Sequence, residues 1–389
     1  MKKPIIFLLI IFMSLFFTVP SSINTFAFAK TKTESEDTLK ISAKSCLLLD
    51  YNSGTVLYDK NSNERLPIAS MTKLATLAIV FDAIEKGAIK ETDMVTVSKT
   101  ASHVGGSSAF LDAGSSYKLN ELIKSVIIAS ANDSSVALAE HIAGSEEMFV
   151  LKMNKFAKSL NLENTHFENC TGLPKDNHYS SANDIAKIYQ TICNNEIYKR
   201  YSKLWMEDFM HPSGRKTGLV NTNKLIRSYE GIEGGKTGFT NAARFCLTAS
   251  ASRGNMRLVG VVIGANDSKT RFAEMTKLFN YGFANFDNKV MVYDTTPITI
   301  EKVAKTEESV EIFPAKTISL LINKNENKEY TTDYKINNIS APLKAGDVVG
   351  KLFVFDENNM VVSEVDLIVK KDVMEISFKE RLKKIINAW

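Results

Sequence analysis

The sequence predicts an α+β protein in which helices pack on an antiparallel sheet, followed by a small all-β domain. Three observations predict this fold: two hairpin-like strand pairs within residues 43–60 and 245–263, helical patterns between them, and short β-rich runs beyond residue 286. Because the hairpins flank the helical stretch, we expect their strands to meet in one sheet that the helices cover.

Composition limits the class of protein. The chain has 389 residues, of which 44% are hydrophobic and 24% charged, so it is long enough for two folded units and too apolar for a disordered chain. Its 48 basic and 44 acidic residues nearly cancel, leaving a net charge of +4. This balance provides no broad basic surface, and we expect no nucleic-acid partner.

The N-terminus has the layout of a cleavable secretory signal over residues 1–29. Two lysines precede an apolar run from Ile5 to Val19, and Ala27-Phe28-Ala29 is a small-x-small cleavage site. The alternative is a membrane-spanning helix, but the apolar run is shorter than the roughly 20 residues that a span needs. We therefore expect an exported protein outside the cytoplasmic membrane.

The first domain is predicted over residues 30–285. Strands at 46–49 and 55–58 flank the turn cluster Asn52-Ser53-Gly54, and a second pair at 245–249 and 257–263 flanks Arg253-Gly254-Asn255. Apolar residues at helical spacing predict five helices. They cover residues 71–86, 119–129, 134–143, 148–160 and 268–283.

The remainder reads as a β-rich domain over residues 286–373 and a tail over 374–389. Short strand-like runs with turn signals between them fill the domain. They lie at 290–293, 298–300, 310–312, 318–321, 348–355 and 361–369.

Four scattered cysteines show no spacing of a zinc or redox site. Cys46 and Cys246 lie in apolar strand-like runs and are predicted to be small buried hydrophobes. The sequence allows one disulfide among the four but does not name its partners. The five histidines form no His-Glu-x-x-His motif or other ligand cluster, so we expect no metal site.

The chemistry is indicated by motifs that each occur more than once. A serine becomes a nucleophile when a nearby base takes its proton, and a lysine one helical turn away can do so if burial lowers its pKa. Ser70 and Lys73 meet this requirement because they open the apolar helix at 71–86, whereas Ser115 lies in a turn and Ser213 follows a proline. The serine-x-x-lysine motifs are Ser70/Lys73, Ser115/Lys118 and Ser213/Lys216.

Context also selects among the other two motifs. Ser130-Ala131-Asn132 lies between two apolar helices, whereas Ser181-Ala182-Asn183 precedes a helical run and is typical of an N-cap. Lys236-Thr237-Gly238 leads into the second hairpin, but Lys216-Thr217-Gly218 has no neighbouring strand pattern and is predicted to lie in a loop. We therefore select Ser130, Asn132 and Lys236.

These three motifs, in this order, are the signature of penicillin-binding proteins and class A β-lactamases. The chain resembles the serine D-alanyl-D-alanine carboxypeptidases among the low-molecular-mass penicillin-binding proteins. The resemblance is strong over roughly residues 40 to 285, and its fold is the β-lactamase/penicillin-binding-protein-like fold. The matching segments are 67–73, 105–111, 129–133, 164–167, 171–173 and 235–240.

The resemblance implies a site that cleaves peptidoglycan stem peptides ending in D-Ala-D-Ala and is acylated by β-lactam antibiotics, with no cofactor or metal. It implies that Ser70 attacks the penultimate D-Ala carbonyl, Lys73 takes its proton and Ser130 passes a proton to the departing amine. Asn132 would orient the substrate amide, and the N–H groups of Ser70 and Phe239 would form the oxyanion hole. Lys236 would provide the positive electrostatic field around Ser130, and Thr237 would bind the terminal carboxylate. The implied substrate-binding residues are Asn132, Lys236, Thr237, Gly238 and Phe239.

One segment departs from the relatives. Many of them carry arginine in an Asn-Arg-Asn-Gly-Leu segment, whereas this chain has Thr222 there, within Asn221-Thr222-Asn223-Lys224-Leu225. The arginine contact to substrate is therefore in question. Arg257 either supplies positive charge instead or is an ordinary residue at a strand edge.

The tail has an amphipathic pattern. Apolar residues recur at helical spacing and basic residues lie between them, which suits a short helix on the surface of an anionic membrane. The alternative is a helix docked on the β-rich domain. We expect peripheral attachment to the outer face of the cytoplasmic membrane. The apolar residues are Phe378, Leu382, Ile385, Ile386 and Trp389.

Two other functions are compatible with this fold. A secreted class A-like β-lactamase would need a carboxylate that speeds deacylation, for which Glu163 and Glu168 are the candidates in the expected interval. A non-catalytic β-lactam sensor or wall-binding scaffold would retain the fold without turnover, but every catalytic side chain is present.

Overall fold

The computed structural model describes residues 39–377 together with residues 379 and 386. The predicted signal peptide and most of the predicted tail helix, including Phe378 and Trp389, lie outside these residues. Within the part of the chain that is described, no helix has both the length and the apolar character needed to cross a membrane.

A five-stranded antiparallel sheet forms the centre of the first domain, in the order β2-β1-β9-β8-β7. Leu47 of the first hairpin lies opposite Val261 of the second, which confirms that strands from both ends of the domain share one sheet. The strands are β1 (Ser45–Asp50), β2 (Val56–Lys60), β7 (Ile232–Thr240), β8 (Arg244–Arg253) and β9 (Met256–Ala265).

Helices cover both faces of this sheet because successive strand side chains point in opposite directions. Leu47 and Leu49 belong to the large core shared with the helices that precede β7. Cys46 and Leu48 belong to a second core, with Phe279 of α8 (Ser268–Asn285). The sheet is therefore the middle of three layers.

The helical layer contains seven helices in the described residues. Three predicted helices are confirmed as α1, α3 and α5, and α4 begins two residues earlier than predicted, at Asn132. Ser181 caps α6 by accepting a hydrogen bond from the Asp184 N–H, as expected. The helices are α1 (Lys73–Glu85), α2 (Lys99–Ser102), α3 (Leu119–Ile128), α4 (Asn132–Ala143), α5 (Glu146–Ser159), α6 (Ala182–Ile192) and α7 (Glu196–Ser202).

Two small two-stranded antiparallel sheets join this layer. They pair β3 (Met94–Thr96) with β4 (Ser116–Lys118), and β5 (Met206–Met210) with β6 (Lys216–Val220). The prediction of a loop at Lys216 was therefore wrong. The strand pattern is weak because only one face of β6 is buried, at Leu219.

The C-terminal domain is all β, as predicted. Its five-stranded antiparallel sheet has the order β11-β12-β16-β15-β14, while β10 pairs with β13. Val310, Leu352 and Leu367 lie in its buried core. The polar, exposed β14 was not predicted. The strands are β10 (Phe286–Val292), β11 (Thr299–Lys302), β12 (Ser309–Pro314), β13 (Ile318–Asn323), β14 (Thr331–Ile336), β15 (Val348–Phe355) and β16 (Val361–Val369).

All four cysteines are buried, and no disulfide joins them. Cys46 and Cys246 are completely inaccessible, which confirms their expected role as small apolar residues in the sheet.

Candidate active site

Ser70 lies in a single 3-10 turn, Ala69–Thr72, that leads directly into α1. The Lys73 Nζ donates to Ser70 Oγ at 3.0 Å and to the Thr171 carbonyl at 2.7 Å. The Lys73 side chain is fully buried, and this burial lowers its pKa to about 7. An amine that loses its proton near neutrality can act as the base for the neighbouring hydroxyl.

The other two serine-x-x-lysine motifs lack this environment. Lys118 and Lys216 are exposed, and Lys216 forms an ion pair with Asp208 at 3.5 Å. Neither amine is desolvated, so neither provides a base comparable with Lys73.

Ser130 lies in the turn between α3 and α4, where its φ of 63° places it in the left-handed region. Its hydroxyl accepts a hydrogen bond of 2.7 Å from Lys236 Nζ, which also donates to the Thr237 carbonyl. Burial, together with the charges of Lys73 and Arg271, lowers the pKa of Lys236 well below its ordinary value.

Asn132 begins α4, two residues after Ser130. Its Nδ2 donates to the Gly105 carbonyl at 2.8 Å. Its Oδ1 is buried and has no hydrogen-bond partner among the described residues. A buried acceptor without a partner costs free energy unless a ligand supplies a donor.

Strand β7 lies directly against the serine turn, and Gly238 makes this approach possible. A Cβ at Gly238 would lie 2.7 Å from the Ile68 carbonyl oxygen and 3.2 Å from the Ser70 nitrogen. Phe239, the next residue, is 52% exposed. The structure therefore brings Ser70, the strand edge and the Lys236 side chain to one cleft.

Thr222, in the segment where the sequence lacks the expected arginine, lies beside Thr237 of β7. The Thr237 Oγ1 donates to the Thr222 Oγ1 at 2.8 Å. The two hydroxyls thus form a neutral pair on β7 and the segment opposite it.

Arg257 does not replace the missing arginine. Its Nε donates to Glu233 Oε2 at 2.6 Å, and its guanidinium lies 4.4 Å from the centre of the Tyr51 ring. Arg257 and Lys236 each pair with a residue of β8, and these two residues of β8 are four positions apart. Arg257 therefore lies about 13 Å from Lys236 along the strand direction. The interpretation of Arg257 as a cation in the cleft is therefore not supported.

Arg271 of α8 was missed by the sequence analysis. Its Nη1 donates to the Gly238 and Cys246 carbonyls, each at 3.2 Å, so it supports β7 from behind. No motif marks this residue, because its role depends on α8 crossing the back of the sheet.

The carboxylates expected for a β-lactamase are placed differently. Glu163 and Glu168 are exposed, and the Glu168 carboxylate lies 3.3 Å from His166 Nδ1. Among the described residues, no hydrogen bond joins either carboxylate to Ser70 or Lys73.

A serine beside a buried lysine, and a second serine beside a second buried lysine, are the arrangement of an active-site-serine enzyme of the β-lactamase/penicillin-binding-protein fold. Residues 30–267 match the family model described as D-alanyl-D-alanine carboxypeptidase, and residues 286–375 match the C-terminal domain of penicillin-binding protein 5. The chain belongs to the D-alanyl-D-alanine carboxypeptidase family.

Individual relatives align with this chain over most of their length. The chain is 40% identical over 366 residues to the D-alanyl-D-alanine carboxypeptidase DacF of Bacillus subtilis, covering 93% of this chain and 94% of that protein. It is 35% identical over 370 residues to DacC of Escherichia coli, covering 92% and 91%. The crystal structure of penicillin-binding protein 5 from Haemophilus influenzae matches with a TM-score of 0.69 and 35% identity, covering 86% of this chain and 98% of that one.

These comparisons confirm the predicted fold class and the predicted enzyme class, a serine-type D-Ala-D-Ala carboxypeptidase. They favour it over the β-lactamase and the non-catalytic scaffold.

Proposed function

We propose that this protein removes the terminal D-alanine from peptidoglycan stem peptides through an acyl-enzyme on Ser70, and that β-lactams acylate the same hydroxyl. The observation that carries this proposal is the 3.0 Å contact between the Ser70 hydroxyl and the buried Lys73 amine. A serine hydroxyl with such a partner is activated for attack on a carbonyl.

In the first step, neutral Lys73 takes the Ser70 proton while Oγ bonds to the penultimate D-Ala carbonyl carbon. The N–H groups of Ser70 and Phe239 stabilise the oxyanion, a role supported by the close approach of β7 at Gly238. The C–N bond then breaks as Ser130, whose hydroxyl is held by Lys236, delivers a proton to the departing D-Ala amine. The proton that Lys73 took from Ser70 replaces the one that Ser130 gave up. Water hydrolyses the resulting ester and restores Ser70.

Four groups bind the substrate. The unpartnered Oδ1 of Asn132 accepts the N–H of a substrate amide, which would satisfy its buried acceptor. When substrate binds, the Thr237 hydroxyl turns its proton from Thr222 to the terminal carboxylate, and Lys236 supplies the nearby amine. Phe239, exposed at the edge of β7, contacts the bound peptide.

The cellular arrangement is part of the same proposal. Residues 1–29 direct export, residues 30–285 form the catalytic domain, residues 286–373 form the β-rich domain and residues 374–389 attach the protein peripherally to the outer face of the membrane. The two family matches, over 30–267 and 286–375, support this division. The support for attachment is the apolar stripe with basic flanks in the tail.

The function is tested by incubating the purified protein with a Lys-D-Ala-D-Ala peptide and, separately, with a chromogenic cephalosporin. We expect stoichiometric release of free D-Ala and slow cephalosporin turnover, because no carboxylate is hydrogen-bonded to Ser70 or Lys73 among the described residues. Rapid cephalosporin hydrolysis without D-Ala release would establish a β-lactamase instead.

The acylation rate should depend on pH with a midpoint near the Lys73 pKa of about 7. The neutral amine is the reactive form, so the rate levels off above this pH and falls by about tenfold per unit below it. The measurement is the rate constant for labelling by a fluorescent penicillin from about pH 5 to about pH 9, with the melting temperature recorded at each pH. A rate that is flat or that decreases as the pH rises through neutrality contradicts the assignment of the base.

A further inference from the structure

The residue before the nucleophile has an unusual backbone conformation. Ala69 has a φ of 48°, in the left-handed region that residues with a Cβ rarely adopt. Gly172 packs against it so closely that a Cβ there would lie 1.9 Å from the Ala69 carbonyl oxygen. A conformation of this kind is strained and persists only where neighbours hold it.

A chain of hydrogen bonds holds the Ala69 carbonyl. The Thr72 hydroxyl donates to it at 2.8 Å, and His178 Nε2 lies 2.7 Å from the same hydroxyl. On the other side of the ring, His178 Nδ1 is 3.1 Å from the Glu168 backbone nitrogen. Thr72 and His178 are both buried.

The direction of every bond in this chain is determined. A backbone N–H can only donate, so Nδ1 of His178 accepts from Glu168 and Nε2 must carry the ring proton. Nε2 therefore donates to Thr72, whose own proton goes to Ala69. Burial lowers the pKa of His178 to about 4, which keeps the ring neutral and preserves this tautomer.

We propose that His178 is a positioning residue for acylation: it orients the Thr72 hydroxyl, which holds the Ala69 carbonyl and thereby the Ser70 turn. Lys73 is held by the same segment of chain, because its amine donates to the Thr171 carbonyl next to Gly172. Residues 168–178 thus hold both the turn that carries the nucleophile and the side chain of its base. This inference rests on the proposed role of Ser70.

Two substitutions at His178 separate the two ring nitrogens. In His178→Gln the side-chain amide nitrogen can take the place of Nε2 and keep the donor to Thr72. In His178→Asn the side-chain oxygen can take the place of Nδ1, but no donor reaches Thr72. We expect the acylation rate constant at saturating fluorescent penicillin to fall about tenfold in His178→Asn and by less than about threefold in His178→Gln. The apparent dissociation constant of the initial complex should change by less than about twofold, because the His178 ring is buried and its polar contacts are to Thr72 and the Glu168 backbone.

Thr72 provides an independent route if His178→Asn does not fold. Thr72→Val removes the hydroxyl at nearly constant shape, and Thr72→Ser retains it. We expect Thr72→Val to slow acylation about tenfold and Thr72→Ser to act as the wild type, with the Thr72→Val/His178→Asn double variant no slower than Thr72→Val.

The positioning role is overturned if His178→Gln and His178→Asn are equally slow, if Thr72→Val acylates at the wild-type rate, or if the double variant shows additive losses. Wild type and Ser70→Ala are labelled in parallel. If wild type is not labelled, or if Ser70→Ala still is, the proposed function fails instead, and the two failures are distinguishable.

Discussion

Replacing Ser70 by alanine should abolish labelling by fluorescent penicillin and lower D-Ala release by at least about 10⁴-fold. The substitution removes the oxygen that forms the acyl-enzyme, and Lys73 then has no hydroxyl to activate. Because Ser70 is only partly buried and its side chain is small, the melting temperature should change little. Labelling is read on a gel, and D-Ala release by an amino-acid oxidase assay.

The chain itself provides matched controls for this experiment. Ser115→Ala and Ser213→Ala alter the serine of the same four-residue motif, but neither has a buried lysine partner. Both should be labelled at the wild-type rate. Labelling that survives in Ser70→Ala, or that is lost in either control, would place the nucleophile elsewhere.

Replacing Lys73 should have the next largest effect. Lys73→Met has nearly the same length but no amine, and we expect the acylation rate constant to fall about 10³-fold. Lys73→Arg should be as inactive at every pH, because a guanidinium is not deprotonated in proteins and cannot accept the Ser70 proton. The rate is measured at saturating fluorescent penicillin, so that a loss of chemistry is distinguished from a loss of binding.

Lys118→Met and Lys216→Met are the controls for this second prediction. Both lysines are exposed members of the same motif, so their removal should leave acylation unchanged. Lys73→Met should fold at least as well as the wild type, because it removes a polar amine from a fully buried position. A Lys73→Met protein that acylates at the wild-type rate would show that another group is the base.

The repeated motifs show how far the neighbouring sequence can distinguish one copy of a motif from another. Three serine-x-x-lysine motifs are equivalent as patterns, and the apolar helix that follows Ser70 was sufficient to select it. Similarly, the strand pattern after Lys236 selected it over Lys216, although Lys216 also proved to lie in a strand. Both selected lysines, Lys73 and Lys236, are buried. Burial follows from the apolar periodicity around a residue, and burial changes the chemistry of a lysine.

Other parts of the site could not be predicted because their partners are distant in sequence. Arg271 contacts the Gly238 carbonyl across 33 residues, and His178 contacts Thr72 across 106. Neither residue has a local pattern that distinguishes it from an ordinary polar residue. The same is true of Arg257. Its sequence neighbours did not distinguish a cation in the site from an ordinary strand residue, and its ion pair with the side chain of Glu233 does.

By itself, the sequence determined the architecture, the order of the three motifs and the choice of Ser70, Lys73, Ser130 and Lys236 among their duplicates, because periodicity and turn chemistry are properties of neighbouring residues. Only the tertiary structure decided which polar groups meet: the strained Ala69 turn, the tautomer of His178, the unpartnered Asn132 oxygen and the support of β7 by Arg271. These features depend on distances and hydrogen-bond directions between distant segments, and such distances exist only once the sheet and its helices have packed together.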